Sequence, residues 1–551
     1  MNLLSFFLTI PLLAAETRQV RLLSTTDLHG WIMGYDYYAG KPANRGLAKV
    51  ATLIRAARAG QPANLLVDCG DTIQGSPLEA VHQIAVRAGK STAPDPMMLA
   101  MNALRYDAMA VGNHEFNFGL KNLQAARQQA KFPWLSANTQ GSPAFTPYVI
   151  KTVNGVRIAI IGLTTGAIPA WEKKENYLGY RWIDQVEAAR RNVAEVRAKG
   201  VDAIVFAVHG GLDRDLKTGE IRTGEMPNDN AIYQLAAGIP EADVIFYGHS
   251  HLSNAGAKAG NALLVQARNW GQSLAQVDLE FERTATGWKL TGKSSKLVPV
   301  TDATLADPEI ERLAKPYHDA AERYLNTPVA TSAVAMSGSR ARIEDTPLID
   351  SIHEAQLHFA KADVSFTALF QPGVRIVPGP VTVREMAALY IYDNELYAVE
   401  GHGRMVREAL ENAARYYQSC PDEACAGPLI NPIVPGYNFD MAQGVSYVID
   451  LMKPVGQRIQ NLTYRGAPLR DDQPLRIAIN NYRSGGSAGY TMFRDAKIVW
   501  RSGKEIRELL IEYYTAKKQL PTKADGNWHL VPVSALNTLE VEIVAGTGSR
   551  R

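Results

Sequence analysis

The fold class of this chain is decided by residues 243–251, which read Asp-Val-Ile-Phe-Tyr-Gly-His-Ser-His. A short apolar run of this kind is typical of a buried strand, and here a glycine and two histidines follow it directly. Ligands of open α/β sheets bind outside the carboxyl ends of the strands. Imidazole is a ligand for borderline divalent metals. The stretch therefore predicts a metal site at a sheet edge.

Four more polar motifs lie earlier in the chain, each behind an apolar run. They are Asp27-Leu28-His29, Gly70-Asp71, Gly112-Asn113-His114-Glu115 and His209-Gly210-Gly211. One such motif is weak evidence, because a single Asp-x-His or Gly-Asn-His-Glu is more often a surface turn or a helix cap. Five in order, each after a strand-like run, require five coincidences if no common site exists. We expect their side chains to meet at one edge.

The surrounding sequence predicts an α/β layered domain. Leu47, Val50, Ala51 and Ile54 recur at helical spacing before Gly60, and Asn154-Gly155 is a hairpin turn signal. The short apolar runs that predict buried strands are residues 20–25, 63–67, 156–163, 201–208, 243–247 and 262–265.

The composition changes near residue 284, and a second domain follows. A helix is predicted at about residues 307–325, and Pro316 should kink or split it. Loops rich in Gly, Pro, Asn and Tyr come after it. At 551 residues the chain is too long for one core. The expected division is a signal peptide at 1–15, a first domain at 18–300, a connecting helix and linker at 301–335, and a second domain at 336–545.

Charge and composition exclude some classes of protein. The chain is 46% hydrophobic and 21% charged, as is usual for a soluble globular protein, and its net charge is only +3. A nucleic-acid coat or a membrane-surface protein usually carries a basic excess. We therefore expect no nucleic-acid polymer as a partner, while small anionic ligands, which need only a local pocket, remain compatible with this charge and the oligomeric state stays open.

The first residues predict export. Residues 3–13 are almost continuously apolar, and two alanines and then charged residues follow. This pattern is typical of a secretory signal, which implies a periplasmic or secreted protein, and it is too short to span a bilayer. A buried N-terminal strand or a misassigned start is the alternative. No other stretch approaches transmembrane length.

The three cysteines leave two interpretations open. Cys420 and Cys425 could pair locally in an oxidising compartment, or they could be two surface thiols. Cys69 lies in an apolar strand and would stay free. Six histidines fit no motif and are interpreted as structural or surface residues: His82, His318, His353, His358, His402 and His529.

In the order of its five motifs the chain resembles the calcineurin-like metallophosphoesterases, and within them the secreted 5′-nucleotidase superfamily. Residues 70–76, Gly-Asp-Thr-Ile-Gln-Gly-Ser, and residues 112–116, Gly-Asn-His-Glu-Phe, carry the narrower likeness. The branch it resembles most is the periplasmic cyclic-nucleotide phosphodiesterase/3′-nucleotidases. The motifs pointing to that branch are Asp36-Tyr37-Tyr38, Pro96-Met97-Met98, residues 113–119, 390–394 and 436–440, and Lys453-Pro454-Val455-Gly456-Gln457-Arg458.

The resemblance implies a four-layer α/β/β/α metallophosphatase domain followed by a C-terminal α+β nucleotide-recognition domain. It also implies two divalent metal ions. Asp27, His29 and His251 would hold one, Asn113, His209 and His249 would hold the other, and Asp71 would bridge both. Two cations about 3.5–4 Å apart can clamp a phosphoryl group and activate a water. Zinc, manganese or cobalt suits this mixed nitrogen and oxygen set.

His114 is similar to the family's catalytic histidine. It follows the ligand Asn113, so it should reach substrate, stabilising the transition state or protonating the leaving oxygen. The 5′-nucleotidases pair this histidine with an aspartate three residues on, where this chain has Asn117. An amide cannot raise an imidazole pKa as a carboxylate does. The cyclic phosphodiesterase branch is similar to this chain in having Asn there.

The superfamily binds the base between two aromatic rings of the second domain, where stacking tolerates any base. Tyr490, after the glycine-rich residues 484–489, matches one ring, and either Tyr437 or Phe439 matches the other. All three could instead be core aromatics. Arg375 could meet ribose or phosphate, or be a solvated loop residue.

The expected reaction is hydrolysis of nucleoside 2′,3′-cyclic phosphates to 3′-nucleotides, and then of 3′-nucleotides to nucleoside and phosphate. Two alternatives stay open. One is a 5′-nucleotidase or nucleotide-sugar hydrolase on the same scaffold. The other is a non-catalytic nucleotide-binding or sulfur-oxidation accessory protein, against which the complete ligand set speaks.

Overall fold

The computed structural model describes residues 16–221, 228–392 and 394–547. The predicted signal peptide, residues 1–15, lies outside them. The described residues form two compact units: 16–35, 43–221 and 228–317 make the first, and 36–42, 318–392 and 394–547 make the second. The division falls inside the helix Pro308–Leu325, which stays continuous through Pro316 instead of being split there.

The first unit contains two six-stranded sheets. One has the strand order Trp288–Pro299, Ser273–Arg283, Thr17–Thr25, Asn64–Asp68, Ala108–Ala110 and Trp134–Leu135. The other has the order Asn254–Ala259, Ala262–Gln266, Val244–Tyr247, Ala203–His209, Val156–Thr164 and Tyr148–Val153. The middle strands of both sheets run parallel, so their carboxyl ends lie along one edge of each sheet.

The two sheets pack face to face over a core of alternate strand residues, among them Val20, Leu22, Ile158 and Val205. The residues that alternate with these along the strands of the second sheet, such as Ile161 and Phe206, pack on its other face beneath helices. The strand period of two thus lets one strand contribute to both layers. Helices cover the outer faces, which gives the predicted α/β/β/α layering. The first unit's helices are Leu47–Gly60, Pro77–Arg87, Pro96–Ala103, Leu120–Gln129, Ile168–Trp171, Gln185–Ala198 and Ile232–Gly238.

The predicted elements of this unit are confirmed to within a few residues. All six apolar runs are strands, the residues at helical spacing lie on the buried face of Leu47–Gly60, and Asn154-Gly155 joins two antiparallel strands.

The second unit is an α+β domain, as predicted. Its five-stranded sheet has the order Met441–Gln443, Val364–Thr367, Pro474–Asn480, Glu395–His402 and Ile498–Glu505. A four-stranded sheet has the order Ala467–Pro468, Ile459–Tyr464, Val445–Asp450 and Trp528–Val531. Two short ladders pair Pro328–Ser332 with Gly379–Thr382 and Met336–Ser337 with Arg375–Ile376. Its helices include Pro347–Ala360, Val383–Leu389, Gly403–Ala414, Asn481–Ser484, Ile506–Lys517 and Ser534–Thr547.

The structure resolves the alternatives for the cysteines. Cys420 and Cys425 form a disulfide, and Cys69 is a free, buried thiol in the first unit. Within the described ranges, we find no helix with the length and apolar character that a bilayer crossing requires.

Candidate metal centre

The five motifs of the first unit converge at the carboxyl ends of its central strands. Two groups of side chains there each bring their ligand atoms within 4.8 Å of one another: Asp27, His29 and His251, and Asp71, His209 and His249. The sequence predicted both groups from motifs that lie up to 222 residues apart. Parallel strand direction explains the convergence, since each motif directly follows a strand of the same polarity.

In the first group, the two imidazoles face each other across a short gap. His29 Nε2 lies 3.0 Å from His251 Nε2, and His251 Nε2 lies 3.6 Å from Asp27 Oδ1. Two nitrogens bound at about 2.0–2.1 Å to one tetrahedral cation are separated by roughly 3.4 Å. The spacing therefore suits donors that share one cation.

The second group has the same character. His209 Nε2 lies 3.0 Å from Asp71 Oδ2, and His249 Nδ1 lies 3.2 Å from His209 Nε2. The amide oxygen of Asn113 joins this group at 3.0 Å from His209 Nε2. The predicted fourth member of the set is thus within ligand distance of the rest.

Asp71 lies between the two groups. Its Oδ2 is 3.0 Å from His209 Nε2 in one group and 3.8 Å from His29 Nε2 in the other. Its Oδ1 accepts a hydrogen bond from the main-chain N–H of His114. This is the position that a bridging carboxylate needs.

Hydrogen bonds fix which nitrogen of three imidazoles faces the centre. His29 Nδ1–H donates to the Gln74 carbonyl at 2.9 Å, and His209 Nδ1–H donates to the Cys69 carbonyl at 2.8 Å. His249 uses the opposite nitrogen, since its Nε2 lies 2.9 Å from Asp229 Oδ1. Outer partners of this kind orient ligating histidines and set their tautomer.

Sequence analysis missed Asp229, which is buried and also accepts a hydrogen bond from Thr165 Oγ1. Asp229 lies in a turn with Asn228 and belongs to no short motif. Its proximity to His249 arises from tertiary structure, so the residue pattern carries no signal for it.

The pKa values of the buried histidines differ between the two groups. Burial, reinforced by neighbouring histidines, lowers the pKa of His29 to about 3 and that of His251 to about 4, which keeps both imidazoles neutral and able to ligate. Burial opposes charge on His209 as well, but Asp71 overcomes it and raises that pKa to about 10. The buried Asp71 carboxylate therefore demands an adjacent positive charge, which a proton on His209 or a divalent cation can supply.

This donor set fits two divalent cations. It combines five imidazole or carboxylate donors from three strand ends with a carboxylate between them, and the outer hydrogen bonds leave the other nitrogen of His29 and His209 facing inward. A mixed nitrogen and oxygen set of this kind suits zinc, manganese or cobalt and is too rich in imidazole for magnesium or calcium.

The backbone at the centre is strained. Five of the candidate ligand residues have positive φ: Asp27 (50°), His29 (49°), Asp71 (59°), His249 (68°) and His251 (54°). Left-handed backbone at non-glycine residues costs on the order of 1–3 kcal/mol each and persists only where the surroundings enforce it. This backbone conformation lowers the stability of the fold, and it directs the five side chains toward one point.

Glu115 is one of the groups that enforce this geometry. Its buried carboxylate accepts hydrogen bonds from the main-chain N–H groups of Asp71 at 3.0 Å, Thr72 at 2.6 Å and Gly112 at 2.6 Å. A Cβ at Gly112 would overlap the Asp71 carboxylate, so only glycine fits there. Glu115 therefore ties the loop that carries Asp71 to the loop that carries Asn113.

His114 lies beside the centre. Its side chain is 18% exposed, and its Nε2 is 4.0 Å from Asp71 Oδ2. Its Nδ1 hydrogen-bonds Asn117 Oδ1, and Asn117 Nδ2 donates in turn to Glu172. Because Glu172 can only accept from the amide nitrogen, it holds Asn117 with its oxygen toward His114. The imidazole then donates from Nδ1 and presents Nε2 to the centre.

Glu172 is a second residue that sequence analysis missed. Its other oxygen accepts from Asn176 Nδ2 at 2.8 Å and from the main-chain N–H of Lys173 at 2.7 Å, and burial raises its pKa. A carboxylate therefore does stand behind His114, but it acts through the amide of Asn117 instead of contacting the ring.

Of the three aromatic residues predicted to bind a base, one is exposed and two are buried. Tyr437 is 46% exposed, whereas Phe439 and Tyr490 are 1% and 0% exposed. Phe439 packs among Tyr416, Tyr417 and Trp528, as a core residue does. Of the two alternatives, Tyr437 is thus the accessible one.

Tyr490 is enclosed. The Arg483 guanidinium lies 4.4 Å from its ring centroid, and its hydroxyl donates to the Asn438 carbonyl at 2.9 Å. A base could stack on this ring only if residues 484–490 moved. Arg375 is exposed, in the short strand Arg375–Ile376.

Three of the six histidines outside the motifs contact neighbouring side chains, as structural residues do. His318 Nδ1 hydrogen-bonds Tyr37 at 2.9 Å, His353 Nδ1 hydrogen-bonds Ser365 at 3.0 Å, and His82 packs edge-on against Tyr317.

Two family models match the chain. A calcineurin-like phosphoesterase model matches residues 20–253, and a 5′-nucleotidase C-terminal domain model matches residues 328–495. All the predicted metal ligands lie within the first match.

Curated relatives cover most of the chain. A 2′,3′-cyclic-nucleotide 2′-phosphodiesterase/3′-nucleotidase of Haemophilus influenzae is 32% identical over 95% of this chain and 89% of its own length. The trifunctional nucleotide phosphoesterase protein YfkN of Bacillus subtilis is also 32% identical, over 98% of this chain, which spans 41% of that longer protein.

Among solved structures, a Staphylococcus aureus protein assigned as a 5′-nucleotidase, in complex with α-ketoglutarate, superposes with a TM-score of 0.79. It is 26% identical, and the match covers 93% of this chain and 100% of that one. A calcineurin-like phosphoesterase structure of Bacillus subtilis YfkN gives a TM-score of 0.51 at 28% identity, covering 56% of this chain and 99% of that one.

Proposed function

Because the chain belongs to the family of two-domain calcineurin-like phosphoesterases that contains the 2′,3′-cyclic-nucleotide 2′-phosphodiesterase/3′-nucleotidases, we propose that it catalyses both of their reactions. It would hydrolyse nucleoside 2′,3′-cyclic phosphates to 3′-nucleotides, and 3′-nucleotides to nucleoside and phosphate. The substrates are small nucleotides and not nucleic-acid polymers.

One observation carries the proposal: Asp71 stands between two groups of buried metal-type donors, and His114 stands next to it outside both groups. Two bound divalent cations would supply charge neutralisation of the phosphoryl group and a water of lowered pKa. The ligand roles that we propose are Asp27, His29 and His251 for one cation, Asn113, His209 and His249 for the other, and Asp71 for both. Zinc, manganese and cobalt are the candidates.

His114 would act on the leaving oxygen. With Nδ1–H donating to Asn117, the Nε2–H of the imidazolium form would give its proton to the 2′-oxygen as the P–O2′ bond breaks, leaving a neutral imidazole, or would stabilise the charge that develops there. In the second reaction the same atom would serve the 3′-oxygen as the P–O3′ bond breaks.

The second unit would hold the nucleoside. Tyr437 offers an exposed ring for a base, and Arg375 an exposed guanidinium for ribose or phosphate. Residues 1–15 support a periplasmic or secreted location for the enzyme.

The decisive test is a substrate panel with a metal titration. The chelated protein is supplied with Zn²⁺, Mn²⁺ or Co²⁺, and initial rates are measured on 2′,3′-cyclic AMP, 3′-AMP and 5′-AMP. We expect metal-dependent turnover of the first two and little of the third. Asp71→Ala is the matched negative control, and it should lose turnover more completely than Asn113→Ala because Asp71 is the carboxylate proposed to hold both cations.

The likeness to the Staphylococcus aureus protein favours one rival, a 5′-nucleotidase. A rate on 5′-AMP exceeding those on both other substrates would establish that rival and refute the proposal. An absence of turnover with every metal would instead favour a nucleotide-binding accessory protein.

A further inference from the structure

A second cluster of acidic side chains lies in the second unit, away from the residues assigned above. Asp345, Asp350 and Asp525 each bring a carboxylate oxygen within 4.8 Å of the others. Asp345 precedes the helix Pro347–Ala360, Asp350 lies in its first turn, and Asp525 lies in the loop before the strand Trp528–Val531. The cluster therefore joins a helix start to a loop more than 170 residues away.

Two of these carboxylates have an oxygen without a hydrogen-bond donor. Asp350 is only 7% exposed, and its Oδ1, like Oδ1 of Asp345, is buried and finds no donor among the described residues. Their other oxygens are satisfied, since Asp350 Oδ2 accepts from the Asp525 N–H at 3.2 Å and Asp345 Oδ2 from the Gly526 N–H at 2.8 Å. A buried carboxylate oxygen left unpaired is costly and needs a compensating partner.

The hydrogen bonds to the cluster come from amide N–H groups, and no cationic side chain in the described part of the chain bonds it. Gln443 donates through Nε2 to Asp525, and the Asn527 N–H donates to Asp525 Oδ1 at 3.1 Å. In both side chains the amide oxygen is buried and has no donor within the described part of the chain. A helix start can compensate one negative charge, but not three carboxylates in mutual contact.

We propose that Asp345, Asp350 and Asp525 form a structural binding site for a hard divalent cation, Ca²⁺, in the second unit. Ca²⁺ takes 6–8 oxygen ligands, accepts carboxylates and amide carbonyls, and tolerates irregular geometry. The set has no imidazole and no thiolate, which separates it chemically from the centre of the first unit. Asp525 is exposed, which gives the cation and its waters a route to the site.

The cation would lock the start of the helix Pro347–Ala360 to the loop at Asp525. Its competitor is the proton, because burial and the neighbouring carboxylates raise the pKa of Asp350 to about 8. The test must therefore distinguish a cation from a proton.

The experiment is equilibrium dialysis of the full-length protein, with its first-unit metals loaded, against ⁴⁵Ca²⁺ at neutral pH. We expect one Ca²⁺ per chain with an affinity of roughly 10⁻⁴–10⁻³ M, as in exposed calcium modules. Asp350→Asn should weaken binding at least about tenfold. Asp472→Asn, whose side chain is 81% exposed, is the matched control and should bind as the parent does.

Thermal unfolding provides the second measurement. Ca²⁺ should raise the Tm of the parent and of Asp472→Asn and leave that of Asp350→Asn unchanged. If Asp350→Asn does not fold, Asp525→Asn serves instead, because its side chain is exposed. Asp71→Ala should keep its Ca²⁺, which separates the site from the first unit.

Three results would overturn the inference: no Ca²⁺ bound by the parent, equal binding by the parent and Asp350→Asn, or binding of Mg²⁺ alone. A higher Tm for calcium-free Asp350→Asn than for the parent in Ca²⁺ would also show that the cluster is held by protons.

Discussion

His114 can be separated from the metal ligands by substitution. His114→Ala should retain both metals, because its ring belongs to neither donor group, and lose on the order of 10²–10⁴ in kcat, as expected for a lost acid. Elemental analysis and steady-state rates on 3′-AMP check this. His209→Ala is the comparison, and it should lose metal. Metal loss from His114→Ala would place that ring among the ligands and refute its assigned role.

Glu172 should act only through Asn117 and His114. Without its carboxylate the Asn117 amide is free to rotate and His114 loses its fixed orientation. Glu172→Ala should therefore lower kcat on the order of 10–10²-fold, the cost of a small misplacement, at unchanged metal content. Glu172→Gln, which can still accept from Asn117, should recover part of the rate.

A double substitution tests the connection. In a His114→Ala background, Glu172→Ala should lower kcat no further, because the residue through which it acts is already gone. An equal loss in both backgrounds would mean that Glu172 merely supports the fold.

At the scale of elements, the loops behind the strands depend on Glu115. Glu115→Ala removes the acceptor of four buried main-chain N–H groups, so the free energy of unfolding should fall by about 3 kcal/mol or more. Urea unfolding measures this, and a metal titration should show weaker binding because two ligand loops come apart. The control is Glu187→Ala, with a side chain 65% exposed, expected within about 0.5 kcal/mol of the parent. An undiminished stability would show that other contacts hold the loops.

The elements themselves were largely predictable from sequence, because strand runs and helix spacing are local patterns. The convergence of the candidate donors was predictable because each of His29, Asp71 and His249 directly follows a strand, so strand polarity brings them together. Asp229 and Glu172 were not predictable, since they reach the centre from segments without periodic pattern. Whether Tyr490 is a core residue stayed open for a related reason: a glycine-rich loop does not reveal whether it folds over its own aromatic ring.

At the scale of the whole molecule, the chain separates two kinds of chemistry. The first unit carries the imidazole-rich centre at its strand ends, while the second carries the exposed Tyr437 and an all-oxygen cluster. Under the proposed function, a phosphoester without a base needs only the first unit's groups, whereas a nucleotide would also use an aromatic ring of the second unit. Substrates that differ only in having a base therefore report on the two units separately.

Tyr437→Ala should consequently affect nucleotides and spare simple esters. Losing one stacking face costs about 1–3 kcal/mol, which predicts a KM for 3′-AMP raised roughly 5- to 150-fold, with bis-p-nitrophenyl phosphate hydrolysed as before. Tyr490→Ala is the informative companion. As an enclosed ring it should chiefly lower the free energy of unfolding, by about 3–5 kcal/mol for a large buried side chain, in a urea titration. A stable Tyr490→Ala with a selectively raised nucleotide KM would show that residues 484–490 open to admit the base, and equal losses on both substrates for Tyr437→Ala would remove Tyr437 from the binding site.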